Sequence, residues 1–227
     1  MRNQAHFQFW PKRVPYELEY PRVPLFEFLE TSARRYPDKP GIIYYGGQLT
    51  YRQLLESVER TAALLSGLGV EKGDRVALYM QNTPHFAIGF FGILRANAVV
   101  VPINPMLTEK ELEQLLTDSG AVAAITTTDI AGRMIAVQPR TQIREIIVGS
   151  YADYLPQTPE LPVPGGMLEA PAADKEKVRP WLEALGNTTA PPPELVVGPG
   201  DMAMLPYTSG STGVPKGCIH THATIIS

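Results

Sequence analysis

The chain has 227 residues, about one and a half times the ~150 residues of an average domain, so it is long enough to bury a sizeable core. Hydrophobic residues make up 44% of it and charged residues 19%, which excludes a disordered tail and a bundle of membrane helices. The net charge of -3 lacks the basic excess of a nucleic-acid-binding surface, so we predict no nucleic-acid partner.

Cysteine content and apolar runs predict a soluble cytoplasmic protein. Cys218 is the only cysteine, so no internal disulfide can form, as is usual in a reducing compartment. No signal peptide is recognisable, and the most apolar run, residues 86–94, is nine residues long where a spanning helix needs about 20. We interpret Cys218 as a small buried hydrophobe, and a catalytic thiol beside His220 and His222 is the alternative.

The 22 prolines divide the chain into segments. Six lie in residues 1–40 and ten in 156–199, whereas four lie in 41–155, where regular elements are predicted. We therefore distinguish four parts, namely an N-terminal extended segment (1–40), an α/β subdomain (41–149), a proline-rich connection with one predicted helix at 173–186 (150–200), and a strand, loop and start of a helix (201–227). Pro180 is a complication inside the predicted helix.

The first predicted elements are a hairpin and a helix. Residues 41–45 and 48–51 read as two strands around a Gly46–Gly47 turn. Thr50 with Gln53 forms a capping box, which predicts a helix that ends at Gly67 and Gly69.

Strands and helices then alternate. The predicted strands are 75–80, 98–103, 121–126 and 144–149. Three helices are predicted between them. The first runs from Pro84 to Leu94, the second from a capping box of Thr108 and Glu111 to Gly120, and the third is a short helix near 129–137. Strands that alternate with helices require crossover connections. We predict an α/β fold with a mainly parallel sheet and helices on both faces.

Residues 201–217 carry the chemistry. A short apolar strand leads into a loop with the hydroxyls of Thr208, Ser209, Ser211 and Thr212, the glycines Gly210, Gly213 and Gly217, and the cation of Lys216. Glycines let backbone N–H groups approach an anion, hydroxyls donate to phosphate oxygens, and an ammonium balances their charge. This loop differs from the Walker A loop because Val214 and Pro215 separate Gly213 from Lys216, which disfavours a P-loop ATPase, kinase or GTPase.

YTSGSTGVPKG (207–217) resembles the phosphate-loop signature of the adenylate-forming superfamily, which includes acyl-CoA synthetases, luciferases and peptide-synthetase adenylation domains. The resemblance extends to LTYRQL (49–54), to residues 69–86 and 91–112, and to THATI (221–225), in the order of that family's N-terminal half. Residues 9–42 are similar to long-chain fatty-acid CoA ligases. Asn97 departs from the family, which usually has glycine in this turn, but asparagine tolerates left-handed backbone.

The resemblance implies an ATP-dependent ligase. A carboxylic acid, taken here as a long-chain fatty acid, attacks the α-phosphate of ATP to give acyl-AMP and pyrophosphate, and coenzyme A then displaces AMP. Residues 208–217 are expected to bind the phosphates, with Lys216 as the catalytic cation, Ser211 and Thr212 as donors, and Thr208 and Ser209 as positioning residues. The ligands of Mg²⁺, the ribose aspartate, the hinge and a second lysine are expected beyond Ser227, so the chain alone is expected to be inactive.

Other functions stay open at this stage. An aryl, medium-chain or amino-acid substrate would fit the same superfamily, and a truncated, non-catalytic ATP-binding module would fit the chain length. The expected partners are small molecules. A peripheral membrane contact stays open, although no amphipathic basic helix requires one.

Overall fold

The computed structural model describes residues 8–165, 168, 178–208 and 215–227. Strands and helices alternate along the central part of the chain, from β3 to β6. The helices are α1 (Phe26–Arg35), α2 (Tyr51–Gly67), α3 (Pro84–Arg95), α4 (Glu109–Ser119), α5 (Ala131–Val137), α6 (Trp181–Gly186) and α7 (His222–Ile226). The strands are β1 (Pro40–Tyr44), β2 (Gly47–Thr50), β3 (Arg75–Tyr79), β4 (Val99–Ile103), β5 (Ala123–Thr127), β6 (Glu145–Gly149), β7 (Arg179–Pro180), β8 (Met202–Met204), β9 (Tyr207–Thr208), β10 (Lys216–Gly217) and β11 (His220–Thr221).

A seven-stranded sheet organises these elements in the order β11-β8-β4-β3-β5-β6-β7. All neighbouring strands from β8 to β7 run parallel, and β11 is antiparallel to β8 at one edge. The predicted α/β class with a mainly parallel sheet is confirmed.

The two faces of the sheet carry separate apolar cores. Alternate residues of the central strand β3 point to opposite faces, because side chains alternate along a strand. Val76 and Leu78 pack with α1, α2, α3 and α6, whereas Ala77 and Tyr79 pack with α4 and α5. The prediction of helices on both faces is therefore confirmed.

The predicted helix caps are present. Thr50 with Gln53 and Thr108 with Glu111 form complete capping boxes at the starts of α2 and α4. Gly120 ends α4 in the left-handed conformation, at φ 59°. These signals are local in sequence, so the chain satisfies them without long-range packing.

The predicted hairpin is present, but its turn lies one residue earlier. Tyr44 pairs with Gly47, so Tyr45 and Gly46 occupy the two central positions rather than Gly46 and Gly47. Their φ angles are 51° and 88°, as a type I′ turn requires, and this turn matches the twist of the two strands.

The predicted helix at 173–186 is shorter than expected. Residues 173–177 lie outside the described residues, and α6 begins at Trp181. Pro180 has extended backbone, with φ -62° and ψ 132°, and pairs together with Arg179 against β6. The reason is physical: proline disfavours helical backbone in the residue before it, and Arg179 donates to Glu145 over 2.8 Å.

The sheet extends beyond the segment 41–149, since β7, β8 and β11 all come after it in the chain. The division into four segments therefore stays a prediction. Among the described residues, none of the helices combines the length and the apolar character needed to cross a bilayer.

Candidate functional site

The segment predicted to bind phosphate leaves the carboxyl end of the parallel sheet. Strand β8 lies beside β4, where Val100 pairs with Met204 and the Leu205 amide donates to the Val100 carbonyl over 2.8 Å. The chain then forms a small antiparallel hairpin of β9 and β10, called here the 207–217 hairpin. Ligands of open α/β sheets usually bind beyond the carboxyl ends of the strands, which is where this hairpin lies.

Pairing within the hairpin brings two of the predicted site residues together. Lys216 is directly opposite Thr208, and both side chains are exposed to solvent. Below them Gly217 is opposite Tyr207, and the Cys218 amide donates to the Pro206 carbonyl over 2.8 Å. The ammonium of Lys216 is thus free to meet a charged ligand.

Gly217 packs closely against the chain that leaves β8. A Cβ atom there would lie 3.0 Å from Leu205 Cδ1 and 3.2 Å from Tyr207 Cζ, closer than ordinary van der Waals contact. The last glycine of the motif therefore lets β10 approach the chain that leaves β8.

The structure describes part of the predicted set. Thr208, Lys216 and Gly217 have the positions given above, and Pro215 directly precedes β10. The other predicted residues, Ser209, Gly210, Ser211, Thr212, Gly213 and Val214, lie outside the described residues, and their role stays a prediction.

Tyr207 ties the hairpin to α4, a contact that sequence reasoning missed. Its hydroxyl donates to Asp118 Oδ2 over 2.5 Å. Burial, together with the hydrogen bond to the Asp118 carboxylate, raises the pKa of Tyr207 well above its usual value, so the phenol stays neutral and remains a donor. The two residues are 89 positions apart, and no local pattern connects them.

Two cavities border the hairpin, and Tyr207 lines both of them. One of about 370 Å³ is also lined by Thr208 and Pro215 and by residues of β4, of the chain that follows it and of α4, namely Pro102, Asn104, Leu107, Glu111 and Leu115. Another of about 470 Å³ is lined by Pro215 and by the second half of α4. The hairpin thus borders spaces large enough for parts of a small molecule.

Asn97 fixes the chain that leads into β8. It has left-handed backbone at φ 63°, as its tolerance of this geometry predicts. Its side-chain amide donates to the Glu194 carbonyl over 2.7 Å and accepts from the Val196 amide over 2.8 Å. Arg95 also donates to the Pro193 carbonyl, so residues 193–196 are held against the turn between α3 and β4.

Asp201 connects the start of β8 to Lys72 and to the start of α7. It accepts from the Gly198 amide over 2.8 Å and forms an ion pair with Lys72 at 3.1 Å, and these contacts lower its pKa. The His222 amide donates to the Asp201 carbonyl, and His222 Nδ1 accepts from the Leu25 amide over 3.1 Å. Burial lowers the pKa of His222, partly offset by Asp201, which favours the neutral ring that this contact needs.

The thiol hypothesis for Cys218 gains no support from these contacts. Its side chain is a free, half-buried thiol, and the Nδ1 atom of the neighbouring His222 is already used by Leu25. Within the described part of the chain, no group of three or more His, Cys, Asp or Glu side chains could hold a metal ion.

Comparisons with known proteins identify the family of this chain. The AMP-binding enzyme family matches residues 29–227. The Long-chain-fatty-acid–CoA ligase of Bacillus subtilis (strain 168) is 34% identical over 230 residues, which cover 96% of this chain and 40% of that protein. The ligase of the same name from Yersinia pestis is 36% identical over 231 residues, which also cover 96% of this chain and 40% of that protein.

A solved structure extends the likeness to three dimensions. The apo structure of MbtA from Mycobacterium smegmatis has a TM-score of 0.72 and 30% identity, over 90% of this chain and 35% of that one. The chain spans about 40% of the length of the curated relatives it matches.

Proposed function

The chain belongs to the AMP-binding enzyme family, and from this premise we propose that it is the phosphate-binding part of an ATP-dependent acid–thiol ligase. In the proposed reaction a carboxylate oxygen attacks the α-phosphorus of ATP, which forms acyl-AMP and releases pyrophosphate. The thiol of coenzyme A then attacks the acyl carbon and releases AMP.

The 207–217 hairpin carries this proposal. Negative charge grows on the β- and γ-phosphates as pyrophosphate leaves, and a fixed cation stabilises that charge without making a bond. Lys216 is suited to the task because its ammonium is exposed on a strand whose register is fixed opposite Thr208. The hydroxyls and amides of residues 208–217 complete the proposed phosphate site, with Ser211 and Thr212 as donors and Ser209 as a positioning residue.

The acid is proposed to be a long-chain fatty acid. Support comes from the printed names of the Bacillus subtilis and Yersinia pestis relatives, each of which matches nearly the whole chain. Aryl, medium-chain and amino acids are the competing substrates, because the same reaction accepts any carboxylate that the acyl pocket admits.

Magnesium is expected to accompany ATP. The described residues offer no cluster of acidic side chains that fits this ion, so we assign it no ligand and no step in this part of the chain. A cytoplasmic location also belongs to the proposal, and the single cysteine supports it.

The proposal is tested by thioester formation on the protein as the cell makes it, with palmitate, octanoate, benzoate and an amino acid as alternative acids. We expect AMP to form when palmitate, ATP and coenzyme A are all present. Omission of any one of the three is expected to abolish AMP formation. Preference for another acid would replace the fatty-acid assignment. Release of ADP instead of AMP would overturn the ligase mechanism itself.

A further inference from the structure

A separate cavity of about 450 Å³ lies away from the 207–217 hairpin, at the carboxyl ends of three other strands. Gln81 and Asn82 follow β3, Asp129 follows β5, and Tyr151 follows β6. Tyr44 and Tyr45 of the first hairpin, together with Pro164, complete the wall. We call this space the tyrosine cavity.

The topology of the sheet makes this a suitable place for a ligand. The chain leaves β3 towards α3, which packs on one face, and leaves the adjacent β5 towards α5, which packs on the other. Loops that diverge from neighbouring parallel strands leave a crevice between them, and open α/β sheets bind ligands in such crevices. The tyrosine cavity occupies this position.

Asp129 is held in place and keeps acceptor capacity. Its Oδ1 accepts from the Thr127 hydroxyl over 2.7 Å, and its Oδ2 accepts from the Tyr151 hydroxyl over 3.1 Å. A carboxylate can accept about four hydrogen bonds, so about two positions are left for a ligand. Burial, with a further contribution from Asp129, raises the pKa of Tyr151 to about 12, so this hydroxyl remains a donor to the carboxylate.

The rings of Tyr44 and Tyr45 supply aromatic wall to the cavity. They meet edge-on, with centroids 4.9 Å apart, which restricts the orientation of the Tyr44 ring. The Tyr44 hydroxyl oxygen is itself buried and has no hydrogen-bond partner among the described residues, so it is not offered to a molecule in the cavity. The cavity therefore combines the Asp129 carboxylate with aromatic surface.

Charge selects the class of ligand. Of the described residues that line the cavity, Asp129 is the charged one, and none is lysine or arginine. An anion would be repelled, whereas a cation would be attracted both by the carboxylate and by the faces of tyrosine rings. A volume of about 450 Å³ is within the usual range for small-molecule sites.

We propose that the tyrosine cavity binds a small aromatic amine in its protonated form. The ammonium donates to Asp129, and the aromatic body lies against the tyrosine rings. This inference is independent of the ligase proposal, because the cavity is formed at β3, β5 and β6 rather than at β8 and the 207–217 hairpin.

Isothermal titration with three probes of similar shape tests the charge preference. Phenethylammonium is expected to bind, while phenethyl alcohol binds at least about ten-fold more weakly and phenylacetate does not bind, since only the first carries a positive charge. Equal affinities for the amine and the alcohol, or no heat from the amine at about 10 mM, a concentration sufficient for a weak site, would overturn the proposal.

Variants then locate the binding. Asp129→Asn is expected to weaken phenethylammonium binding by about ten-fold or more, while Glu56→Gln on the exposed side of α2 leaves it unchanged. Gln81→Lys places a cation in the cavity wall and is expected to weaken binding of the amine by about ten-fold or more. Thermal unfolding checks that each variant folds. Because Asp129 also accepts from two protein hydroxyls, Gln81→Lys at an exposed position is the decisive variant if Asp129→Asn fails to fold, and unchanged binding in Gln81→Lys would then refute the site.

Discussion

Buried polar side chains at the carboxyl edge of the sheet form a small network around His85. The imidazole is fully buried, its Nε2 lies 2.9 Å from Asp153 Oδ2, and its Nδ1 lies 3.3 Å from the Thr83 hydroxyl. Trp181 donates from Nε1 to the Tyr154 hydroxyl over 2.9 Å, and both rings meet the imidazole edge-on. These contacts fasten α3, the turn after β6 and α6 to one another.

Gly149 shows how closely this network is packed. A Cβ atom at this position would lie 2.4 Å from His85 Cδ2, a distance that real side chains do not reach. The last residue of β6 must therefore be glycine for the imidazole to occupy its place.

The phenol of Tyr154 makes this network sensitive to alkaline pH. Burial, opposed in part by the hydrogen bond from Trp181, raises the pKa of Tyr154 from 10.0 to about 12. A raised pKa means that the folded state favours the neutral phenol, so the contribution to stability is complete below pH 10 and is lost as pH rises towards 12. We expect the free energy of unfolding in urea to fall over this range, and to fall less steeply in Tyr154→Phe.

Tyr20→Phe is the control for this measurement, since Tyr20 is exposed. The free energy of unfolding of Tyr20→Phe should depend on pH in the same way as that of the unaltered protein. An equally steep decline in Tyr154→Phe would show that Tyr154 is not responsible.

Such long-range contacts set the limit of sequence reasoning at the residue scale. His85 and Asp153 are 68 positions apart, and the sequence around each gives no sign of the other. The predicted tolerance of Asn97 for left-handed backbone was correct, because that property belongs to the residue itself. Its hydrogen bonds to residues 194 and 196 could not be predicted, because they depend on tertiary packing.

At the scale of elements, the turn between α3 and β4 organises the approach to the candidate site. Asn97 binds the backbone on both sides of Leu195, and Lys72 adds a hydrogen bond to the Val196 carbonyl over 3.2 Å. A few residues later the chain enters β8, which pairs with β4 at Val100 and Met204 and is followed by the hydrogen bond from Leu205 to Val100. Because this pairing is short, we expect contacts made before the strand begins to contribute to the position of β8.

Substitution of Asn97 tests this dependence. Asn97→Gly keeps the left-handed turn and removes both side-chain hydrogen bonds, so we expect stability to fall by about 1–3 kcal/mol. Hydrogen exchange of the Val196 amide should accelerate, and the same change should extend to the amides of β8. The measurements are urea unfolding and hydrogen exchange followed by mass spectrometry.

The exposed Asn82 supplies a control, because it lies in the connection at the other end of α3, and no backbone hydrogen bond among the described residues joins it to residues 193–196. Asn82→Gly should leave exchange at Val196 and β8 unchanged. Unaltered exchange in Asn97→Gly would mean that the packing of the sheet alone positions β8.

Elements were predictable where their signals are local. The capping boxes of Thr50 and Thr108 fix the starts of α2 and α4, and both are observed. The helix predicted at 173–186 failed at Pro180, because pairing with β6 favoured extended backbone there. A strand as short as β7 has no periodicity from which it could be predicted.

For the whole molecule, the α/β class follows from alternation along the chain, but the order of strands does not. The chain passes from β4 across β3 to β5, and β8 returns from a distant segment to lie beside β4. This order is set by which apolar faces bury one another, a property of the assembled layers rather than of any single segment.

The candidate site also has a part that could be predicted from the sequence and a part that could not. Its motif was predictable from residue types and from resemblance, because phosphate binding needs glycines, hydroxyls and a cation within one short loop. Its attachment to the molecule was not predictable, since Tyr207 reaches Asp118 and β8 reaches β4 only after the sheet and α4 have formed.

The most direct test of the ligase proposal is palmitate-dependent exchange of labelled pyrophosphate into ATP, measured on the protein as the cell makes it. Removal of one charge-stabilising group typically slows a reaction by about 100-fold, so we predict a loss of this size in Lys216→Ala and partial recovery in Lys216→Arg. Lys12→Ala removes an exposed lysine that is distant in sequence from Lys216, and this variant should retain the full exchange rate. Exchange at the unaltered rate in Lys216→Ala would contradict the account.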